Sequence, residues 1–192
     1  GSDLFGDEEY LFVHPPDAAE AVVLRTIDGR EVGRRAVPSL DTRMLSLGRR
    51  VLVWRLAGGD RELALLDPWT QKIEWAREYP DGAMPWPLEQ SSVGVLDREG
   101  KFELVVAATG RVETSAELDI DPATTDIYMF RSATRDLLVT TRQRGPGVNI
   151  QPVPGGYGNP LVNGAVFGFD RRTGKLAFRT RNTTPAVQCR LR

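Results

Sequence analysis

Four segments of the sequence share one local pattern, in which an apolar run leads into a polar turn and a second extended run follows. The turns align on Gly29, Gln71, Gly110 and Gly174, which are 42, 39 and 64 residues apart. The long last interval contains residues 144–164, which are too rich in Gly and Pro for a regular strand or helix. Without about twenty such residues this interval also returns to near forty, so the chain is a repeat of roughly forty residues.

The residues around each turn read as short strands rich in Val, Leu and aromatic side chains, with turn signals every eight to twelve residues. Val51–Trp54, for example, leads through a glycine-containing loop into Leu63–Leu66. No segment sustains the apolar stripe of a helix. The fold class is therefore all-β. The period of about forty predicts a β-propeller, or a partial propeller of about four antiparallel blades, because a four-stranded blade has that length.

A β-sandwich with fortuitously spaced turns is the alternative, although a sandwich has no reason to repeat at blade length. We expect residues 3–192 to form a single repeat domain. Its predicted blades cover residues 8–41, 43–82, 83–122 and 126–182, and a final strand covers 186–191.

Two of the four turns resemble the repeat of the PQQ-type, quinoprotein-dehydrogenase-like β-propellers, in which a strand ending in Asp precedes a Thr-Gly-Lys turn and an aromatic residue. Asp67 with Trp75 fits this pattern, and so does Asp170 with Gly174 and Phe178. The turns at Asp28-Gly29 and at Gly110 keep the glycine, with Gly33 and Thr114 at the aromatic position. We expect the aromatic side chain to be buried between neighbouring sheets, and the contacts at Gly33 and Thr114 to be weaker.

The resemblance implies a larger protein of seven or eight blades and favours a location outside the cytoplasm. Cofactor binding in that family needs most of an eight-bladed ring, a calcium ion and, in many members, a vicinal cysteine pair. Cys189 is the only cysteine, so none of the family's cofactor residues can be placed here. No cofactor is predicted.

The sequence leaves open whether the blades close into a ring. The first recognised strand begins at Tyr10, so the final strand at 186–191 could supply a missing edge to the first blade. Otherwise the chain is an arc with exposed blade faces, which would self-associate.

Composition excludes several kinds of function. The 25 basic and 26 acidic residues give no basic excess for nucleic acid, and no apolar run is long enough for a membrane helix. His14 is the only histidine, so a catalytic triad or a histidine metal site is not expected, and we expect a solvated or capping role for it. The Arg49-Arg50 pair is interpreted as solvated turn residues.

The loop at 144–164 is the strongest candidate for a binding element, because long loops without secondary structure are uncommon in compact domains. Trp86, between two prolines, is a second candidate contact residue. The predicted function is a non-catalytic propeller module that binds a protein or polymer, as part of a larger bacterial exported or envelope protein. The alternatives are a fragment of a quinoprotein-like redox enzyme and a purely structural repeat. The candidate contacts in the loop are Asn149, Tyr157, Asn159 and Asn163.

Overall fold

The computed structural model describes residues 2–89, 91–142, 161–162, 164–181 and 187–188. Every regular element among these residues is a β-strand. The described residues accordingly contain no helix of the length and apolar character needed to cross a membrane.

The strands form four sheets of four strands each, and within each sheet the strands follow one another in chain order. The first sheet contains β1 (Asp3–Gly6), β2 (Tyr10–His14), β3 (Glu20–Arg25) and β4 (Glu31–Ala36). The second contains β5 (Arg43–Leu47), β6 (Arg50–Ala57), β7 (Asp60–Asp67) and β8 (Lys72–Tyr79). The third contains β9 (Met84–Leu88), β10 (Ser92–Leu96), β11 (Lys101–Val106) and β12 (Val112–Glu117). The fourth contains β13 (Thr124–Arg131), β14 (Arg135–Arg142), β16 (Ala165–Asp170) and β17 (Leu176–Arg181), and a separate pair joins β15 (Leu161–Val162) to β18 (Val187–Gln188).

Successive up-and-down sheets of four antiparallel strands are the blades of a β-propeller. The prediction of an all-β, propeller-type fold is confirmed, and the chain is a partial β-propeller. The β-sandwich alternative is wrong, because a sandwich would divide the strands between two sheets rather than four.

The first and the last of the described strands differ from the sequence-based expectation. Asp3–Gly6 is a strand that pairs with β2, so the first sheet takes all four of its strands from residues 3–36. Within the expected final strand, Val187–Gln188 pairs with Leu161–Val162 rather than with the first sheet. The four residues of β1, Asp-Leu-Phe-Gly, show no alternation of apolar and polar side chains, so the sequence does not predict this strand.

The chain divides into two compact units. The first is Gly1–Ala83 with Gln90–Ser92 and Val106–Arg111, and the second is Met84–Glu89 with Val93–Val105 and Val112–Arg192. Each unit has its own apolar core of side chains from alternate strand positions. The core of the first unit contains Phe5, Phe12, Ala21, Val23, Val51, Val53 and Ala64. The core of the second contains Leu88, Leu96, Phe102, Leu104, Leu118, Ile127, Met129, Leu138, Phe167 and Phe169.

The turn between the third and fourth strands, here named the 3–4 turn, has one backbone feature in common in every sheet. Its fifth residue has positive φ each time: +67° at Gly29, +58° at Gln71, +69° at Gly110 and +67° at Gly174. Glycine takes this conformation without steric cost, which explains its recurrence. Each strand pair also shifts register near the turn, between Val23/Leu24, Leu65/Leu66, Leu104/Val105 and Gly168/Phe169.

In the second and fourth sheets the turn starts with an aspartate, whose side chain accepts backbone hydrogen bonds. Oδ1 of Asp67 accepts from the amide of Trp69 at 2.8 Å, and Oδ1 of Asp170 accepts from the amides of Arg172 and Thr173, both at 3.0 Å. In the first sheet Arg25 stands at this position. Asp28 instead lies just before the positive-φ glycine, where its Oδ1 accepts from the amide of Arg30 at 3.1 Å.

The 3–4 turn of a sheet also contacts the fourth strand of the sheet before it. In the first unit, the Arg35 guanidinium of β4 lies 4.2 Å from the ring centre of Trp69. Further along, Trp75 of β8 donates from its indole Nε1 to the carbonyl of Ala107 at 3.2 Å. In the second unit, a Cβ on Gly174 would lie 2.9 Å from the carbonyl oxygen of Glu113 in β12.

The four residues predicted at the aromatic position behave differently from one another. Trp75 is half-buried against the next turn, as expected of a side chain between sheets. Thr114 is buried, and its hydroxyl would lie 3.3 Å from a Cβ on Gly174. Gly33 provides no side chain, and Arg35, two residues later, makes the contact instead. Phe178 is 43% exposed.

Candidate functional site

A cleft of about 450 Å³ lies within the first unit, where connections of its first two sheets meet. Asp7 comes from the β1–β2 turn, Gly48 and Arg49 come from the β5–β6 turn, and Asp67 comes from the start of the second sheet's 3–4 turn. Up-and-down sheets place these connections at the same end of their strands. The lining residues are Asp7, Leu47, Gly48, Arg49, Arg50, Asp67 and Glu74.

Two of the carboxylates are held by the backbone. Oδ1 of Asp7 accepts from the amides of Glu9 and Tyr10, both at 2.9 Å, while Oδ1 of Asp67 accepts from the amide of Trp69. In each case the second oxygen, Oδ2, remains to face Arg49. The local turn chemistry therefore orients both acids toward one guanidinium.

Arg49 bridges three carboxylates. Its Nη1 lies 3.5 Å from Asp7 and 3.6 Å from Glu9, and its Nε lies 3.3 Å from Asp67. Arg50, the next residue, pairs with Glu74 of β8 at 3.1 Å. The interpretation of Arg49-Arg50 as solvated turn residues is wrong for Arg49, whose side chain is only 27% exposed and is held among acids.

The balance of charge in and beside the cleft is acidic. Asp7, Glu9, Asp67 and Glu74 carry four negative charges against the two positive charges of Arg49 and Arg50. Acidic charges gathered in a recess make the local electrostatic potential more negative, and a negative potential attracts a cationic ligand.

An aromatic pair lies beside the charged cluster. The rings of Tyr10 and Trp69 stack at 4.2 Å, and the Arg49 guanidinium lies 5.8 Å from the ring centre of Tyr10. A hydrogen bond with the Glu9 side chain is the main reason that the pKa of Tyr10 is raised, with a smaller contribution from desolvation. The phenol therefore stays neutral and polar at physiological pH.

Of the contact residues predicted from the sequence, the structure describes Trp86 alone. Asn149, Tyr157, Asn159 and Asn163 fall outside the described residues, as do Cys189 and most of the 144–164 loop. Trp86 is half-buried in the second unit, where it packs against that unit's core and meets the Tyr128 ring edge-on at 4.7 Å.

His14 is not solvated, because only 3% of it is exposed. Its Nδ1 accepts a hydrogen bond from Nη2 of Arg43 at 2.8 Å, so the ring proton is on Nε2, which donates to the carbonyl of Ala18 at 2.6 Å. Arg43 also pairs with Asp3 at 2.6 Å, which links the first and second sheets. The histidine closes the β2–β3 turn and anchors this arginine.

No group of three or more His, Cys, Asp or Glu side chains suited to a metal ion occurs in the part of the chain that the structure describes. Sequence reasoning missed the cleft because its residues are distant in the chain. The sequence identifies Asp67 as a repeat position and Arg49 as part of a basic pair. It does not indicate that the two side chains meet.

No family model matches the chain, and no curated protein matches it in sequence. Several solved structures resemble it. BamB from Moraxella catarrhalis is 18% identical over 92% of this chain and 47% of its own, with a TM-score of 0.46. Apo AztD from Citrobacter koseri is 9% identical over 97% of this chain and 48% of its own, with a TM-score of 0.47. The WD40 domain of Pan2 from Neurospora crassa is 11% identical over 94% of this chain and 48% of its own, with a TM-score of 0.40.

The chain thus spans about half the length of these structures. Its fold follows from its own four sheets and from the recurring positive-φ turns that join their third and fourth strands. On that basis the chain is a partial β-propeller.

Proposed function

We propose that the chain is a non-catalytic propeller module that binds a protein partner, and that the cleft of the first unit takes a basic side chain of that partner. The observation that carries the proposal is the excess of acid around Arg49 and Arg50 in a recess of about 450 Å³. Recesses of a few hundred Å³ are the usual size of ligand sites, and this one has room for a lysine or arginine side chain.

The arrangement of the acids supports a cationic ligand rather than an anionic one. Both arginines are already engaged by carboxylates, Arg49 by three and Arg50 by Glu74. An incoming anion would have to displace these carboxylates, whereas an incoming ammonium or guanidinium group meets uncompensated negative charge. Complementary charge of this kind sets specificity and association rate more than affinity, so we expect salt-sensitive binding.

The stacked rings of Tyr10 and Trp69 add to the recognition surface. Long basic side chains bury their aliphatic stems on apolar surfaces while the charged head stays near polar groups. The Tyr10 ring, which stacks on Trp69 beside the acids, offers an apolar surface next to the carboxylates for one lysine or arginine of a protein segment. Binding through the 144–164 loop, and membership of a larger exported or envelope protein, stay predictions from the sequence.

The experiment is a titration of the isotopically labelled chain with tetralysine and, separately, with tetraglutamate, followed by amide NMR shifts at low salt. Tetralysine is expected to shift the amides of residues 47–50 and 67–74, and added salt is expected to weaken the effect. The variant Glu74→Gln is expected to weaken tetralysine binding at least about threefold, because it removes one of the three carboxylates that line the cleft.

Glu31→Gln is the matched control, since it makes the same change of charge at an exposed carboxylate of β4 that does not line the cleft. It is expected to leave the titration unchanged. Shifts spread evenly over the surface, equal weakening by both variants, or equal binding of tetraglutamate would contradict the proposal.

A further inference from the structure

Arg49 is held in the cleft by three contacts, none of which is short. The carboxylate oxygens nearest to its nitrogens belong to Asp67 at 3.3 Å, Asp7 at 3.5 Å and Glu9 at 3.6 Å. A well-formed bond between a guanidinium and a carboxylate measures about 2.7 to 2.9 Å. Arg55 of the same sheet reaches its own partner, a glutamate of the next strand, at 2.7 Å. Arg49 therefore shares its charge among several acids and makes a strong bond with none of them.

Two of these acids are fixed by groups other than Arg49. Oδ1 of Asp7 accepts from two backbone amides, and Oδ1 of Asp67 accepts from one. The Asp67 side chain is also only 8% exposed, whereas that of Arg49 is 27% exposed and extends on a long flexible stem. The arginine is therefore the part of the cleft that can move, and the two aspartates form a frame that stays in place.

The group that occupies this frame indicates which ligand suits it. Two different nitrogens of one guanidinium make the contacts, because Nη1 faces Asp7 and Glu9 while Nε faces Asp67. A guanidinium presents five N–H donors in one plane, whereas an ammonium is a compact point charge with three donors. A planar group can face acids on two of its edges at the same time. An arginine side chain therefore fits the arrangement better than a lysine side chain.

We propose that Arg49 is an internal occupant of the ligand position, and that an arginine side chain of the partner replaces it there. The incoming guanidinium forms short bonds with Asp7 and Asp67, while the head of Arg49 moves out into water. The exchange substitutes one guanidinium for another, so the charge of the cleft does not change. Arg49 lowers the apparent affinity, because only the fraction of chains from which it has moved away is competent to bind. The inference rests on the proposed cleft function and names the ligand and the regulation of that site.

The alternative is that Arg49 stays in place and the ligand binds beside it in the remaining volume of the cleft. Two cations at close distance repel each other, which disfavours this arrangement. Arg49 would then act only as one of the positive charges of the cleft. Its effect on binding would equal that of Arg50, which pairs with Glu74 at 3.1 Å. The two arrangements therefore predict different results for the two arginines.

The first experiment measures the affinities of tetra-arginine and tetralysine by calorimetry at low salt. Tetra-arginine is expected to bind the wild type at least about threefold more tightly than tetralysine, although the two carry the same charge. Arg49→Met is expected to raise the affinity for tetra-arginine about tenfold, because the internal competitor is gone. Arg50→Met is the matched control, since it removes the same charge from the lining of the cleft and should raise the affinity no more than about threefold.

The second experiment observes the exchange directly by NMR of the wild-type chain. The Nε proton of Arg49 faces Asp67 at a nitrogen-to-oxygen distance of 3.3 Å, and its signal is assigned through the backbone resonances of the same residue. As tetra-arginine binds, this proton is expected to exchange faster with water. The measurement needs no substitution, so it stays decisive if Arg49→Met fails to fold.

The inference would be overturned by an Arg49 signal that does not change while tetra-arginine binds, by equal gains in affinity for the two methionine variants, or by equal affinities of the wild type for the two peptides. Each of these results would leave the proposed function standing, because a basic ligand would still bind in the cleft. Failure of both peptides to bind the wild type would overturn the inference and the proposed function together.

Discussion

The indole of Trp75 lies directly against the backbone of Gly110, with its Nε1 bonded to the nearby carbonyl of Ala107 at 3.2 Å. A Cβ on Gly110 would come within 2.7 Å of the ring. The glycine therefore satisfies two requirements at once, because it accepts a φ of +69° and it leaves room for the tryptophan. These two requirements explain why glycine in one turn is paired with an aromatic residue in the preceding sheet.

Gly110→Ala is expected to destabilise the chain by about 3 kcal/mol. Left-handed backbone costs an alanine about 1 kcal/mol, and the overlap with Trp75 adds a similar or larger amount by forcing the indole from its place. The midpoint of urea unfolding, followed by tryptophan fluorescence, measures the loss. The same displacement should change the fluorescence of the folded state.

Gly29→Ala provides the matched comparison. Its φ of +67° is nearly the same, but no described atom lies within 4 Å of the added Cβ. Only the backbone cost of about 1 kcal/mol is expected. Equal losses for the two variants would show that the contact with Trp75 contributes nothing.

Arg43→Met is expected to cost about 3 kcal/mol. The Arg43 side chain is only 6% exposed and bonds Asp3 at 2.6 Å and His14 at 2.8 Å, so its removal leaves a carboxylate and a buried ring nitrogen without this partner. Arg34→Met is the control, because Arg34 is exposed and meets Glu31 only at 3.9 Å, and less than about 0.5 kcal/mol is expected. Thermal unfolding of both variants compares them, and similar melting temperatures would contradict the assignment.

The repeat could be predicted from the sequence because the conformation of each 3–4 turn depends on residues that are close together in the chain. Positive φ requires glycine or a tolerant residue, and strands on either side need apolar side chains at alternate positions, so both signals recur at a fixed spacing. Gln71 shows the limit of the rule. It adopts a φ of +58° without being glycine, and its side-chain amide bonds the carbonyl of Ala36 at 3.0 Å.

The cleft was not predictable because it depends on which turns meet in space. Asp7 and Glu74 are far apart in the chain, and a sequence shows their charges but not their distance. The role of Arg35 was hidden for a similar reason. Gly33 has no side chain at the position where an aromatic contact is expected. The guanidinium of Arg35, two residues later, lies over Trp69 instead.

Asp170→Asn is expected to make acid unfolding less steep. Backbone hydrogen bonds, above all from Thr173, lower the pKa of Asp170, with Arg135 a smaller cause. A lowered pKa in the folded state means that the stabilisation is complete above the unfolded value of about 3.9 and is lost as the pH falls through the folded value. The difference in unfolding free energy between wild type and variant should therefore shrink below about pH 4.

Arg135→Met separates the two causes, because it removes the ion pair at 2.8 Å and leaves the backbone hydrogen bonds in place. Most of the acid dependence assigned to Asp170 should survive in this variant. If Arg135→Met flattens the pH profile as much as Asp170→Asn does, the backbone is not the main cause of the lowered pKa.

Arg49→Met tests whether the cleft is held together by one cation among acids. Its removal leaves Asp7, Glu9 and Asp67 without the guanidinium that lies 3.3 to 3.6 Å from each. A loss of about 1 to 2 kcal/mol is expected at low salt, falling to about half of that in 1 M NaCl as repulsion among the carboxylates is screened. Arg50→Met is the control, since among the described residues Arg50 pairs with Glu74 alone, at a half-exposed site, and should cost less than about 1 kcal/mol. Urea unfolding at the two salt concentrations measures both variants, and a loss at Arg49 that salt does not reduce would mean that packing rather than charge explains it.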